Sequence, residues 1–498
     1  MDSAAVDRMM NDGLARFNVA GASVVIVKDG KIVHSKGYGV RSVDTKKPAD
    51  GQTPFAIGSN TKAFTTAALA ILVEEGKLNW KDRVVTHVPE FKLYNDYVTQ
   101  HFLIEDLLTH RSGLGLGAGD LMFVPDGGDF SIKDILSAFQ HFKPQSEFRT
   151  KFDYDNLLYF VAGEVIKRVS GMPWEVFVKT RILDQLGMAD SYASLTQAQN
   201  PGVLAIPHSN RDKALKTLPH YVFDDKKLNG AAGSIYASSD DMGKWILMQL
   251  NGGKYGPDLG KQLFTTASQR EMWKIHTVQD AGPDPRYKTH FSGYGLGWGL
   301  SDMNGSLVAQ HGGGLPGMVS RVVVIPDLKF GVVVLSNSDQ GAFLVAAASR
   351  AITDSYLGLD DNAWPDKMYA FMTQRSSMGD AVSAKVWETV EKSKGARIDP
   401  ADYIGVYEDP WFGKVEVSEK NGKLSFRSHR SPKLNGEMFY YKANSFAVKW
   451  AYQDMDADAF AIFSLDEEGK AQSIRMKAIS PNTDFSFDFQ DLDLKRVK

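Results

Sequence analysis

Residues 22–35 read Ala22-Ser23-Val24-Val25-Ile26-Val27-Lys28-Asp29-Gly30-Lys31-Ile32-Val33-His34-Ser35. The first six form an apolar run rich in β-branched side chains, which fit extended backbone. Asp29-Gly30 is a hairpin signal, because both residues tolerate the positive φ of a tight turn. Lys31 to Ser35 then carries the chain back, so the stretch predicts two antiparallel strands. Just before it, Val6, Met9, Met10, Leu14 and Phe17 recur at helical spacing within residues 5–18. A helix followed at once by a hairpin fits a sheet covered by helices.

The pattern returns far along the chain. Met318–Ile325 and Gly331–Leu335 are β-branched runs parted by a turn that starts at Pro326-Asp327, and residues 341–357 predict a helix packed on them. Between these ends, residues 60–76 predict an Ala- and Leu-rich helix buried on several sides. Roughly 80–235 read as helix and loop, with Leu103–Leu108 and Leu157–Val169 as the clearest helical patterns. The order implies an α+β fold: a mainly antiparallel sheet flanked by helices, with a helical insertion, over residues 1–358. Residues 359–399, charged and amphipathic between Pro365 and Pro400, predict a helical linker.

From 400 to 498 the period changes to two. Val415/Val417 and Leu424/Phe426 flank Asn421-Gly422, and Phe446/Val448/Trp450, Phe460/Ile462 and Phe485/Phe487/Phe489 repeat the alternation. This spacing predicts a small antiparallel β-barrel or sandwich.

Composition narrows the function. Of 498 residues, 57 are basic and 60 acidic, a net charge of −3 that leaves no electrostatic footprint for nucleic acid or an anionic membrane. There is no cysteine, which excludes disulfides, thiolate metal sites and cysteine nucleophiles. The longest apolar stretch, Ala63 to Val73, is broken by Thr65 and Thr66 and is too short for a bilayer. Met1-Asp2-Ser3-Ala4 lacks the pattern of a leader, so the expected compartment is periplasmic or secreted if a leader was removed, and cytoplasmic otherwise.

Three elements carry chemistry. In Gly58-Ser59-Asn60-Thr61-Lys62, Ser59 sits at a helix N-terminus with Lys62 three residues on, on the same face. Exposed N–H groups there stabilise developing negative charge, and burial would lower the lysine pKa so that it accepts the serine proton. No other serine in the chain has lysine three places later. In Tyr154-Asp155-Asn156, Tyr154 and Asn156 point the same way if extended, one to move a proton and one to meet a substrate carbonyl; a helix cap is the plainer reading of that triplet. In His311-Gly312-Gly313-Gly314, the glycines allow close approach, and the Gly314 and Ser59 N–H groups would form an oxyanion hole. No serine has glycine two places away on both sides, which argues against an α/β-hydrolase.

The order Ser59…Lys62, Tyr154…Asn156, His311-Gly312-Gly313 resembles the serine β-lactamase and penicillin-binding-protein superfamily. The nearest branch holds class C β-lactamases, D-aminopeptidases and family VIII esterases, the peptidase S12-like group. Leu107–Leu114, Leu186-Gly187-Met188, Ala232-Gly233-Ser234 and Gly293–Trp298 resemble its framework. The likeness covers roughly residues 5–357, and the tail from 400 resembles the lipocalin-like β domain often appended to these proteins.

The resemblance implies a serine hydrolase with Ser59 as acylated nucleophile and Lys62 and Tyr154 as general acid/base. Asn156, His311, Gly312 and Gly313 would bind substrate. His311 stands where β-lactamases carry lysine. A largely neutral imidazole holds a carboxylate less well, which favours ester, peptide or amide substrates over β-lactams. An acyltransferase with the same acyl-enzyme and a non-catalytic peptidoglycan-fragment-binding protein are the alternatives. No cofactor or metal is expected. The expected partner is a small-molecule or peptide substrate, with no nucleic acid and no membrane span, and the oligomeric state stays open. His110 reads as structural, Gln453–Asp458 as a solvated connection, and Trp298, Trp411 and Trp450 as core.

Overall fold

The computed structural model describes residues 1–210, 214–224, 226–282, 284–396 and 398–497. Helix α1 (Ser3–Arg16) leads into β1 (Gly21–Lys28) and β2 (Lys31–Gly39). Asp29 and Gly30 have φ of 49° and 78°, the double positive φ of the tight hairpin. Seven of the eight β1 residues are buried. Val25 and Val27 enter one core while Val24 and Ile26 enter another, so the unbroken apolar run reflects a strand covered on both faces.

Two helices of the insertion matter for the site. They are α2 (Thr61–Glu74), buried from Thr61 through Leu72, and α3 (Leu157–Ser170). Helix α4 (Ser239–Leu250) closes that side of the sheet. Strands β3 (Thr277–Gln279), β4 (Ser292–Tyr294), β5 (Gly299–Met303), β6 (Ser306–Leu315), β7 (Met318–Ile325) and β8 (Phe330–Ser336) complete an eight-stranded antiparallel sheet ordered β2-β1-β8-β7-β6-β5-β4-β3. Helix α5 (Gly341–Tyr356) covers its other face with α1. The α+β architecture expected from the sequence is present.

Helix α6 (Trp364–Lys392) leads to a closed barrel of eight consecutive strands. These are β9 (Gly405–Asp409), β10 (Gly413–Lys420), β11 (Lys423–Ser428), β12 (Asn435–Lys442), β13 (Ser445–Trp450), β14 (Ala459–Leu465), β15 (Ala471–Ala478) and β16 (Leu494–Arg496). Closure removes the sheet edges, as in a lipocalin-like domain. Val415, Val417, Leu424, Phe426, Phe446, Val448 and Trp450 point inward.

Three details differ from the sequence pattern. Leu103–Leu108 is not an α-helix but a short 3-10 turn over Ile104–Leu108, whose Asp106 carboxylate is taken by Arg111 and Arg149. In β14 the inward residues are Ala459, Ala461 and Phe463; Phe460 lies on the outer face with Val386 and Val390 of α6. Phe485/Phe487/Phe489 form no strand. They lie in turns ending in a 3-10 segment, because Asp488 is drawn away from the barrel.

Asp488 is fully buried and accepts the Gly119 and Leu121 N–H groups, each at 2.8 Å. Phe130 packs on Phe412 at 5.8 Å and Phe142 edge-on to Trp411 at 5.2 Å, so Trp411 is a docking residue. Arg430 reaches Asp134 at 3.0 Å and Lys433 reaches Asp126 at 2.6 Å. Barrel and sheet domain share one continuous apolar core. No helix among the described residues is long and apolar enough to cross a membrane.

Asp488→Ala leaves two buried N–H groups unsatisfied. The expected cost is about 3 kcal/mol, read from the urea midpoint of unfolding. A midpoint within error of the parent would mean that water replaces the carboxylate.

Candidate active site

Gly58–Asn60 form a 3-10 turn that runs directly into α2. Gly58 has a φ of 51°, and a Cβ there would sit 2.6 Å from the Gly314 nitrogen. The turn therefore lies flush against β6. At Gly313 a Cβ would come within 1.9 Å of the Ile57 carbonyl oxygen. This glycine makes room for the serine turn, where sequence reasoning assigned it to substrate. Gly314 faces open space. The His-Gly-Gly-Gly run is part of β6, with His311 opposite Val322 and Gly313 opposite Ser320.

Lys62 has no exposure to solvent. Its Nζ lies 3.0 Å from Ser59 Oγ, 2.8 Å from Asn156 Oδ1 and 3.0 Å from the Ala232 carbonyl oxygen. Burial pulls its pKa down to about 7, against the opposing pull of Asp120 and Asp155. A neutral amine has two N–H groups and one lone pair. The two carbonyl oxygens can only accept, so they take the N–H groups and the lone pair is left for the Ser59 hydroxyl.

Tyr154 hydrogen-bonds Ser59, and burial raises its phenol above the ordinary range. Its ring stacks on His110 at 4.1 Å and lies 4.8 Å below Lys62 Nζ. Asn156 borders the same cleft as Ser59. Both ends of its amide are engaged within the protein, Oδ1 by Lys62 and Nδ2 by Asp120 Oδ2 at 2.8 Å. His311 Nδ1 faces the Gly312 carbonyl oxygen, which can only accept, so the proton sits there and Nε2 accepts from the Tyr294 hydroxyl at 2.8 Å. Burial, then the positive Lys62, pulls the imidazole down to about 3, so it is neutral.

Sequence reasoning missed a second ring of residues. Asp120 is fully buried; it accepts Asn156 Nδ2 and, at 2.8 Å, the hydroxyl of Ser486 from the barrel. Its pKa is raised well above the carboxylate range, chiefly by burial. Asp155, also buried, is pushed up to about 7. Phe485 packs edge-on to Tyr154 at 5.9 Å. His110 was read as structural; its Nδ1 accepts the Asp155 N–H at 3.0 Å while its ring supports Tyr154. Asp120 lies in the glycine-dense stretch Gly113–Asp129, where nothing local marks it out. Ser59, Tyr154, Asn156, His311, Gly312 and Gly314 open onto one cavity of about 1570 Å³. Phe123, Tyr221 and Phe223 line it on one side and Phe343, Met368 and Phe371 on another.

Among the described residues, Glu105, Glu271 and His276 bring possible metal-binding atoms within 4.8 Å of one another, but Glu105 is already held by Arg111 and Lys81. None of the three lines the serine cavity.

A family model described as Beta-lactamase matches residues 6–357. The chain belongs to the beta-lactamase family. Residues 399–496 match a domain of unknown function, DUF3471. Within the β-lactamase- and penicillin-binding-protein-like hydrolases, this chain is similar to the unguisins hydrolase ungD of Aspergillus violaceofuscus. The two are 25% identical over 442 residues, covering 84% of this chain and 77% of that one. Protein flp of Staphylococcus aureus is 28% identical over 336 residues, 67% of this chain and 62% of that one. The octameric penicillin-binding protein homologue from Pyrococcus abyssi shares the fold over 99% of this chain and 100% of its own, with a TM-score of 0.62 and 21% identity.

Gly313→Ala in this beta-lactamase-family chain pushes the Ile57–Asn60 turn away from β6. The rate of labelling by a fluorophosphonate is expected to fall about 100-fold, since shifts near 1 Å cost that much. Unchanged labelling would show that the turn does not need the missing side chain.

Proposed function

We propose that the protein is a serine hydrolase that cleaves amide, peptide or ester bonds through an acyl-enzyme on Ser59. Lys62 supports this most directly: a buried amine near neutrality stands 3.0 Å from the serine oxygen with its lone pair unclaimed. Ser59 Oγ attacks the substrate carbonyl carbon and its proton passes to Lys62. The N–H groups of Ser59 and Gly314 face the oxygen that gains charge. When the tetrahedral species collapses, Tyr154 gives its hydroxyl proton to the leaving amine or alcohol and Lys62 restores it. Water then repeats the sequence in reverse. Asn156 holds Lys62, and His311 walls the cleft as a neutral ring.

The neutral His311 disfavours substrates anchored by a carboxylate at that point. The cavity, larger than the roughly 300–1,000 Å³ of ordinary small-ligand sites, favours an extended, apolar or aromatic peptide over a small acyl group. A hydrolytic activity is in keeping with the unguisins hydrolase to which this chain is similar. Phe485, carried by the barrel onto Tyr154, limits the size of the group beside the nucleophile.

Intact-mass spectrometry with a fluorophosphonate, a p-nitrophenyl ester, a penicillin and a D-Ala peptide tests the nucleophile. An adduct on the parent and none on Ser59→Ala is expected; an adduct on Ser59→Ala sinks the mechanism. The acylation rate should rise with pH through about 7, because below it Lys62 is an ammonium without a lone pair. Asp155→Asn removes a negative charge that favours the ammonium, so the limb should move to lower pH. A limb that stays in place would assign it to another group. Phe485→Ala should raise kcat/KM for bulky esters several-fold relative to p-nitrophenyl acetate, and an unchanged ratio would remove the barrel from substrate selection.

A further inference from the structure

A second cavity of about 400 Å³ lies on the face of the sheet that α5 covers. Gly312 pairs with Arg321 across β6 and β7, and Gln310 pairs with Val323. Residues two apart share a sheet face, so Val319, Arg321 and Val323 point the same way. Val319 and Val323 pack into the apolar layer beneath α5. Arg321 sets a guanidinium into that layer, and it donates to Gln310 Oε1 at 2.5 Å. Arg350 of α5 brings a second guanidinium to the same cavity, 4.7 Å over the Trp364 ring.

Neither arginine forms an ion pair among the described residues. Asp354, close by, is taken up by Arg286, Tyr287 and Trp364. Asp284 lines the cavity, and its carboxylate accepts the Arg286 N–H at 2.9 Å. Burial, then the neighbouring Arg350, pulls the Arg321 guanidinium down to about 10. The hydroxyls of Ser301 and Thr353, which also line the cavity, are buried without a hydrogen-bond partner. A buried guanidinium and two unsatisfied hydroxyls around one hollow are costly unless an acceptor fills it, and Arg350 at the rim adds a second positive charge. Gly312 borders the hollow, where a Cβ would lie in ordinary contact, 3.7 Å from Arg321 Nη1.

We propose that this cavity is an oxyanion site, in which a carboxylate or phosphate group sits between Arg321 and Arg350 and accepts from Ser301 and Thr353. Guanidinium suits such a ligand because its planar fork donates paired hydrogen bonds to two oxygens. Gly312 lines both this cavity and the serine cavity. The anion is therefore either free or the far end of a molecule that also reaches Ser59. The site does not depend on the acyl-enzyme reading.

The test uses the full chain, with inorganic phosphate titrated against sodium chloride of equal ionic strength while thermal unfolding is followed. A saturable rise in Tm with phosphate, absent with chloride, is expected. Arg321→Gln should weaken half-saturation at least about tenfold. Arg350→Gln, an exposed helix position, tests the same claim in a chain whose folding is not in question. A second arm compares KM for a p-nitrophenyl ester bearing a distal carboxylate with that of its methyl ester. If the anion belongs to the substrate, Arg350→Gln raises KM for the acid alone; if it is free, phosphate stabilises and the two KM values move together. No saturable effect of phosphate together with no discrimination in KM overturns the proposal, as does a phosphate effect that survives both substitutions.

Discussion

A lysine amine sealed from water governs this structure. An ammonium taken out of water without partners is costly, so the protein surrounds Lys62 with acceptors and holds its pKa near neutrality. The acceptors come from distant parts of the chain. Ser59 lies one helical turn away, Asn156 at the start of α3, and Ala232 ahead of α4. Helix α2 has to be buried on every side to keep water out, which explains why alanine and leucine fill it from Ala63 to Leu72. Gly297, whose Cβ would lie 2.9 Å from the Lys62 carbonyl oxygen, lets the segment before β5 close over the same turn.

The hydrogen bonds around Lys62 do not stop at the sheet domain. They run from Lys62 to Asn156, from Asn156 to Asp120, and from Asp120 to Ser486 of the barrel. Asp488 fixes the backbone on either side of Asp120. Buried networks of this kind select one arrangement, because each member lost leaves another group unpaired in low dielectric. The barrel is thus part of the wall of the site. Its loop 484–489 gives up strand geometry to reach across, and Phe485 comes to rest on Tyr154.

His311 and Arg321 lie on adjacent strands of the sheet yet face opposite layers. His311 turns to the serine cavity and is neutral. Arg321 turns to α5 and keeps its charge. The alternation of a strand separates an uncharged cleft wall from a cationic hollow one strand away.

The amino-acid sequence by itself determined the local elements and the cluster of chemistry. Apolar runs with Asx-Gly turns read correctly as hairpins at Asp29-Gly30 and Asn421-Gly422, because the turn's demand for positive φ is local. The Ser59–Lys62 spacing places both on one face of a helix by helical geometry alone. Asp120, Asp155, Tyr294 and the loop 484–489 were not legible, since nothing within a few residues of them differs from ordinary loop or strand. Only the tertiary structure decided that Asn156 spends its amide on Lys62 and Asp120, that Gly313 yields to a backbone carbonyl, and that three phenylalanines at strand spacing form a turn. Burial is the physical reason: the energy of a polar group out of water depends on which partners the whole fold brings within reach, and no window of sequence contains them.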